Sequence, residues 1–351
     1  LLSSLAVAAH LQHTLKESFM SSFAARFNRR LAPRLAPLAL VLAAACGQVI
    51  AADPAPTAPG APAAAAQTHT PLLWKVSDSD NSLYLLGSIH LLKKTDYPLS
   101  SDIDRAFDDA EHVMFELDLP SLTTPESQAM FAKAMSFSDG RTLSGVLSAQ
   151  GREKLDALLK VGGGSIAQVE QLEPWAMSLT FTMGIFQALG FQADAGVDKH
   201  IEERARAAGK PISTLETLAD QLAAMDGAPM AEQVAGLEEF VADPAATVKQ
   251  AQLLHSAWLA GDVEAIDREM RAEMAAKSPQ SYRLMNVDRN NAWMGALEAR
   301  LKGQTQDDTL AVVGALHLVG SDGVVEKLRA KGYRVERICT VCAGEKPAAK
   351  R

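Results

Sequence analysis

The chain is poor in aromatic residues, in cysteine and in positive charge. Phe, Trp and Tyr make up 5% of it, cysteine occurs three times in 351 residues, and 34 Lys and Arg stand against 42 Asp and Glu, a formal charge of -8. Residues 1–52 hold five basic residues and one acid, so the remainder carries -12. An acidic body offers no basic face, and no nucleic-acid partner is expected. Few aromatics beside abundant alanine predict a core of helices packed through small side chains. Long apolar runs are missing as well. The strongest, residues 38–46, falls short of the about 20 residues that a membrane span needs. Gly162-Gly163-Gly164 is followed by neither Lys-Ser/Thr nor a Gly-x-Gly-x-x-Gly frame, so it reads as a loop and not as a phosphate cradle.

So few cysteines leave little room for thiolate metal chemistry. Cys339-x-x-Cys342 follows the last predicted strand and has no second pair to complete a zinc set. A thioredoxin-like pair would open a helix, whereas this one runs into a polar tail. A local disulfide is the expectation, in keeping with an exported chain.

What is present begins with an export pattern. Residues 1–19 read as an upstream extension ahead of Met20. Arg26, Arg29, Arg30 and Arg34, the apolar run and the small residues up to Ala52 form the three regions of a signal peptide over residues 20–52. Cleavage after Ala51 or Ala52 is the simpler reading. Ala43-Ala44-Ala45-Cys46 half resembles a lipoprotein box, without its usual leucine; that reading would attach the protein to a membrane through a lipid on Cys46. Residues 53–70, with Pro54, Pro56, Pro59 and Pro62, cannot build a core and read as a disordered linker. The expectation is a periplasmic or exported protein with one domain over residues 71–340 and a disordered tail over 341–351. A content of 48% hydrophobic and 22% charged residues suits a globular domain.

Within that domain, residues 72–77 and 82–87 read as two apolar strands around the turn cluster Asp78-Ser79-Asp80-Asn81, a hairpin. Ile103, Ala106, Phe107 and Ala110 mark a helix over 100–111, and residues 113–117 a strand, which makes a right-handed βαβ unit. Residues 121–195 and 217–303 are largely helical. Further strands are expected at 210–215, 309–313 and 333–338, with helices at 196–208 and 322–331. The predicted fold is α/β in the α+β sense: a mixed, mainly parallel central sheet formed from the N- and C-terminal strands, with a large helical insertion between them.

Two strands end alike, in Gly87-Ser88-Ile89-His90-Leu91 and Gly314-Ala315-Leu316-His317-Leu318. With 23 glycines and 8 histidines in the chain, about half a Gly-x-x-His match is expected by chance, so the pair carries weight. Gly87 and Gly314 would let the chain turn sharply and a ligand approach the backbone. An imidazole binds metals or moves protons near pH 7; for either histidine alone, a hydrogen-bonded core residue is the ordinary alternative. Glu116, in the middle of a strand from His112 to Asp118, is costly to bury unless paired or metal-bound. Glu216 closes the strand after Leu215, either as a further ligand or as an acid at a helix N-terminus. Asp198 opens a helix, as a cap or as a site residue. Arg289 and Asn290, on a helix ahead of the second motif, belong to a solvated face or bind a substrate carbonyl or oxyanion. His112, His200 and His255 have no such framing and read as structural.

Together with Phe115-Glu116, Pro174-Trp175, Gly196-Val197-Asp198, Leu215-Glu216-Thr217 and Arg289-Asn290, the two Gly-x-x-His blocks resemble the TraB/PrgY/GumN proteins in order and spacing, from about residue 72 to 338. That group includes the Tiki-type membrane metalloproteases and is related to erythromycin esterases and ChaN-type haem-uptake proteins. The resemblance implies a metal-dependent protease site at His90, Glu116 and His317. The expectation is an exported hydrolase, a divalent-metal-dependent peptidase. In it His90, Glu116 and His317, with Glu216, hold a Mn, Co, Zn or Fe ion that activates water, and Arg289 or Asn290 steadies the oxyanion. A metal-free variant uses a histidine as general base, oriented by Glu116. A non-catalytic protein that sequesters a peptide or small ligand in the same cleft is the alternative.

Overall fold

The computed structural model describes residues 69–303 and 306–344. The upstream extension, the signal segment with Cys46, nearly all of the linker and the tail past residue 344 lie outside the described residues. β1 (Leu73–Ser77) and β2 (Ser82–Ser88) form the expected hairpin, with Leu73 opposite Leu86 and Ser77 opposite Ser82. Its turn is held by Asp78, whose Oδ1 accepts the N–H groups of Asp80 and Asn81, the local bonding that suits aspartate to turns. Every residue of β2 is buried, as an unbroken apolar run predicts for a strand covered on both faces. The helix Ser101–Asp109, capped by Ser100, leads to β3 (His112–Phe115). β4 (Ile212–Thr214), β5 (Thr309–Gly314) and β6 (Arg334–Arg337) follow.

Among the described residues the sheet order is β4-β3-β5-β2-β1-β6. The first four run parallel, and β1 is antiparallel to both its neighbours. The mixed, mainly parallel sheet is therefore present, with five strands from the two ends of the domain and β4 from its middle. The two Gly-x-x-His strands are adjacent in it, Gly87 opposite Val313 and Ser88 opposite Gly314. β3 is shorter than expected: it stops at Phe115, so Glu116 stands just past the strand end and not in its middle. The carbonyls of Phe115 and Glu116 accept the N–H groups of Leu215 and Glu216, which sets the two glutamates side by side. All four parallel strands end on one edge. Glu216, Glu116, His317 and His90 follow those ends within three residues, in that order across the sheet.

The insertion has a core of its own between the helices Ala149–Val161, Pro174–Ala188 and Met230–Ala242, where Phe181 stacks on Phe240 at 5.0 Å. Burial of each large apolar side chain there contributes roughly 1.5–3 kcal/mol. Two stretches, Asp267–Arg271 and Arg283–Asp288, are π-helical, and the second runs directly into the helix Arg289–Leu301. A π turn shifts helix register and is frequent at functional sites. Cys339 and Cys342 form the expected disulfide. Val341–Gly344, read above as tail, makes a short 3-10 turn. Among the described residues no helix is long and apolar enough to cross a membrane.

Candidate active site

Gly196 shows how the first motif is built. A Cβ there would collide with the carbonyl oxygen of His90 and stand 2.8 Å from its carbon. This close approach lets Val197 N–H donate to the Ile89 carbonyl at 3.1 Å and starts the helix Val197–Ala207 against the turn that carries His90. Asp198 is thereby placed to take His90 Nδ1–H on Oδ2 at 2.8 Å and the Ser88 hydroxyl on Oδ1 at 2.8 Å. The carboxylate fixes the tautomer, which leaves the lone pair on Nε2. Gly196→Ala is accordingly expected to destabilise the protein by about 1–3 kcal/mol in urea unfolding and to remove the hydrogen-bonded Nδ1 proton from the NMR spectrum. Unchanged stability with that proton in place would refute the packing argument.

The second motif is held by the helix Arg289–Leu301. A guanidinium cannot accept a hydrogen bond, so Arg289 Nη1, 3.1 Å from His317 Nε2, donates to it. His317 Nδ1 therefore carries the proton and gives it to Asn290 Oδ1 at 2.7 Å. Arg289 also donates through Nη1 to the Met285 carbonyl at 3.0 Å, through Nε to Glu216 Oε2 at 2.9 Å, and through Nη2 to Glu216 Oε1 at 2.6 Å and Glu116 Oε2 at 2.7 Å. All five of its N–H groups thus have protein acceptors. Glu116 Oε1 accepts the Gly314 N–H at 2.6 Å, and Glu216 Oε2 accepts the Trp293 indole N–H at 3.0 Å. The Trp293 ring lies 4.4 Å from the ring of His317. Asn290 gives its amide hydrogens to the carbonyls of His317 and Asp322. The side chains of Glu116, Glu216, Arg289, His317 and Asp198 are each less than a tenth exposed, whereas His90 is 18% exposed.

Burial pushes the Glu116 carboxyl up, but Arg289, the two histidines and the Gly314 N–H outweigh it and hold the group well below the usual carboxylate range. Burial raises Glu216; Arg289 pulls it back, and the like charge of Glu116 adds to the rise. Burial would lower Arg289, yet the two glutamates raise it further, so it is a fixed cation. His317 is driven down to about 3, by burial first, against the opposing pull of Glu116 and with Arg289 and His90 adding to the fall. The unfolded chain protonates this histidine below about pH 6.5, the native one only near 3. The stability it confers is therefore complete above the unfolded value and is lost as pH falls between the two. In urea unfolding between about pH 5.5 and 4, the wild-type free energy should fall with pH more steeply than that of His317→Gln, by about 1.4 kcal/mol per pH unit. Equal slopes would show that His317 is not buried as the neutral form.

The residues expected at the site are thus together, with different duties. Arg289 and Asn290 have no donor left for a substrate. Glu216 has both oxygens engaged within the protein. His112 bonds Ser213, His255 bonds Asp96, and His200 packs against Tyr97. Ser88 and Trp293 join the cluster beyond the expected residues. Ser88 lies inside the first motif, and Trp293 is four residues past Arg289, one helical turn along the same face.

The donor types suit a divalent cation: two imidazoles with Nδ1 anchored outward, and an ionised carboxylate. Their placement does not. His317 Nε2 is taken by Arg289, and both oxygens of Glu116 are taken by Gly314 and Arg289. Among the described residues no three His, Cys, Asp or Glu side chains are grouped so as to hold an ion. The expected metal set does not fit while Arg289 keeps this position.

Comparison with known proteins bears on the same blocks. The model of the TraB/PrgY/gumN family matches residues 72–337. The chain belongs to this family. Two relatives, each named "Uncharacterized protein YbaP", come from Escherichia coli (strain K12) and Shigella flexneri. Each is 24% identical over 246 residues, 70% of this chain and 87% of the relative. No solved structure matches the chain. The TraB/PrgY/gumN match spans β1 to β6 and every site residue described above.

Proposed function

We propose that this TraB/PrgY/gumN protein is an exported hydrolase in which His90 is the general base that directs water onto an amide or ester carbonyl, with peptide bonds the first substrate class to try. One observation carries the reading. Of the clustered charged and imidazole side chains, His90 is the most exposed, at 18% against less than a tenth for the rest, and its Nδ1–H is held by a buried carboxylate. Water at Nε2 loses its proton to the imidazole as its oxygen attacks the carbonyl carbon. Asp198 at Nδ1 and the nearby Glu116 charge stabilise the imidazolium that forms. The proton then passes from Nε2 to the leaving amine or alkoxide. Gly314 keeps room for the reaction: a Cβ at this position would stand 3.6 Å from His90 Nε2 and 3.3 Å from Glu116 Oε1. Export is supported by the pattern of residues 20–52 and by the Cys339–Cys342 disulfide, a bond that persists in oxidising compartments.

The test is to incubate purified protein with peptide and ester mixtures and follow them by mass spectrometry, with His90→Ala alongside. Cleavage that disappears in the variant supports the proposal. Ligands bound but left intact by the wild-type protein would overturn it in favour of the sequestering alternative.

A further inference from the structure

We infer that Arg289 is the resident cation of this cluster: its guanidinium fills the place that a divalent ion would take among His90, Glu116 and His317, so the chain keeps no metal while Arg289 is present. The inference concerns the same residues as the hydrolase reading but stands on the hydrogen-bond accounting. Each element of a metal site is in place except an accessible donor set. His90 and His317 each give Nδ1–H to an outward acceptor, Asp198 or Asn290, the arrangement that points Nε2 of a ligating histidine at its metal. Glu116 lies beside them: Oε1 is 4.0 Å from His317 Nε2, and a Cβ on Gly314 would stand 3.3 Å from Glu116 Oε1 and 3.6 Å from both His317 Cδ2 and His90 Nε2. Arg289 Nη1 and Nη2 take His317 Nε2 and Glu116 Oε2. The same guanidinium is locked to Glu216 through Nε and Nη2, and its Cζ lies 5.0 Å from the Trp293 ring centre. An ion entering at His317 would break the Nη1–Nε2 bond, strand a buried N–H and sit beside a buried positive charge, and each of these opposes binding. Charge points the same way: two buried carboxylates, Glu116 and Glu216, need a cation, and a side chain of the protein supplies it.

The experiment uses the full chain stripped of metal by chelator and dialysis, then titrated with Co2+ and followed by calorimetry and visible absorption. Wild type is expected to show no stoichiometric uptake at micromolar Co2+. Arg289→Met, which vacates the position, is expected to bind one equivalent at least 100-fold more tightly. It should also develop a cobalt absorption band and gain thermal stability with Co2+. His317→Ala in the Arg289→Met background should abolish all three. Micromolar one-to-one uptake by wild type that His90→Ala or His317→Ala removes would overturn the inference, as would a folded Arg289→Met that binds no better than wild type. If Arg289→Met does not fold, the imidazole 15N resonances of wild-type His317 decide: unmoved by Zn2+, they support Arg289 as the occupant; shifted to coordinated values, they refute it. Turnover is not read in this experiment. An inactive wild type that ignores Co2+ would sink the hydrolase reading alone, and an active one that takes up Co2+ would sink this inference alone.

Discussion

His90→Ala should lower kcat/KM for whatever substrate is cleaved by about 10^3-fold or more, and Asp198→Asn by a comparable factor. The two losses have different origins, which makes the pair informative. Alanine at 90 removes the base. Asparagine at 198 keeps the volume of a buried side chain, but its amide can donate to Nδ1 where the carboxylate could only accept. The ring proton then moves to Nε2, and the lone pair faces away from the water. Both changes act on the transition state, so kcat should fall and KM should change little. Ser88→Ala removes only the second bond to Asp198 and should cost less than about tenfold, because the His90–Asp198 bond survives. Full activity in Asp198→Asn would mean that the carboxylate does not set the tautomer, and the assignment of His90 as base would fail with it. Rates should be compared at equal folded fraction, since Asp198 is buried beneath the turn.

Sequence patterning reached the sheet and the membership of the cluster because both depend on short-range signals. Apolar runs bounded by turn residues mark β1, β2 and β5, and Gly87 and Gly314 stand where two of those runs end. The shared Gly-x-x-His-Leu ending marks β2 and β5 as strands of one sheet, and the register that sets Ser88 opposite Gly314 makes them neighbours in it. What each residue does was out of reach for a physical reason. A carboxylate near a metal and a carboxylate near an arginine look the same in sequence, because both need an acid at a strand end; the choice between them depends on where a helix that starts 173 residues after Glu116 comes to rest. Here that helix begins after the π turn Arg283–Asp288, and nothing in the periodicity of residues 217–303 announces an extra residue in the turn. Arg289 therefore read as a candidate for holding a substrate, when all five of its donors face the protein. The end of β3 is hidden from the sequence for a related reason. Phe115-Glu116-Leu117 continues the apolar pattern, while the Gly314 N–H that the Glu116 side chain accepts comes from another part of the chain.

The largest effect on stability should come from Glu216, which touches no solvent-exposed member of the cluster. Glu216→Leu keeps the bulk but takes the carboxylate acceptor from the Nε and Nη2 donors of Arg289, from the Trp293 indole and from the Gln221 amide, around a side chain that is less than a tenth exposed. Breaking one side of a buried ion pair strands the other charge, and the expected loss is about 3–5 kcal/mol in urea unfolding. A surface acid provides the contrast. Glu203 pairs with Lys199 at 3.1 Å on the helix Val197–Ala207, but its side chain is 62% exposed, and Glu203→Ala should change stability by no more than about 0.5 kcal/mol. The double variant Glu216→Leu/Arg289→Met tests the mechanism and not merely the magnitude. If the cost of Glu216→Leu is the stranded guanidinium, removing that guanidinium as well should leave a protein less damaged than the sum of the two single changes, by more than about 1 kcal/mol. Additive losses, or a Glu216→Leu penalty below about 1 kcal/mol, would mean that Glu116 alone satisfies Arg289 and that Glu216 is a bystander. The coupling matters for the chemistry above, because the same guanidinium that Glu216 fixes also engages Glu116 and His317. A loose Arg289 would free the donors that a metal could claim, so Glu216→Leu should also raise the affinity for Co2+ relative to wild type.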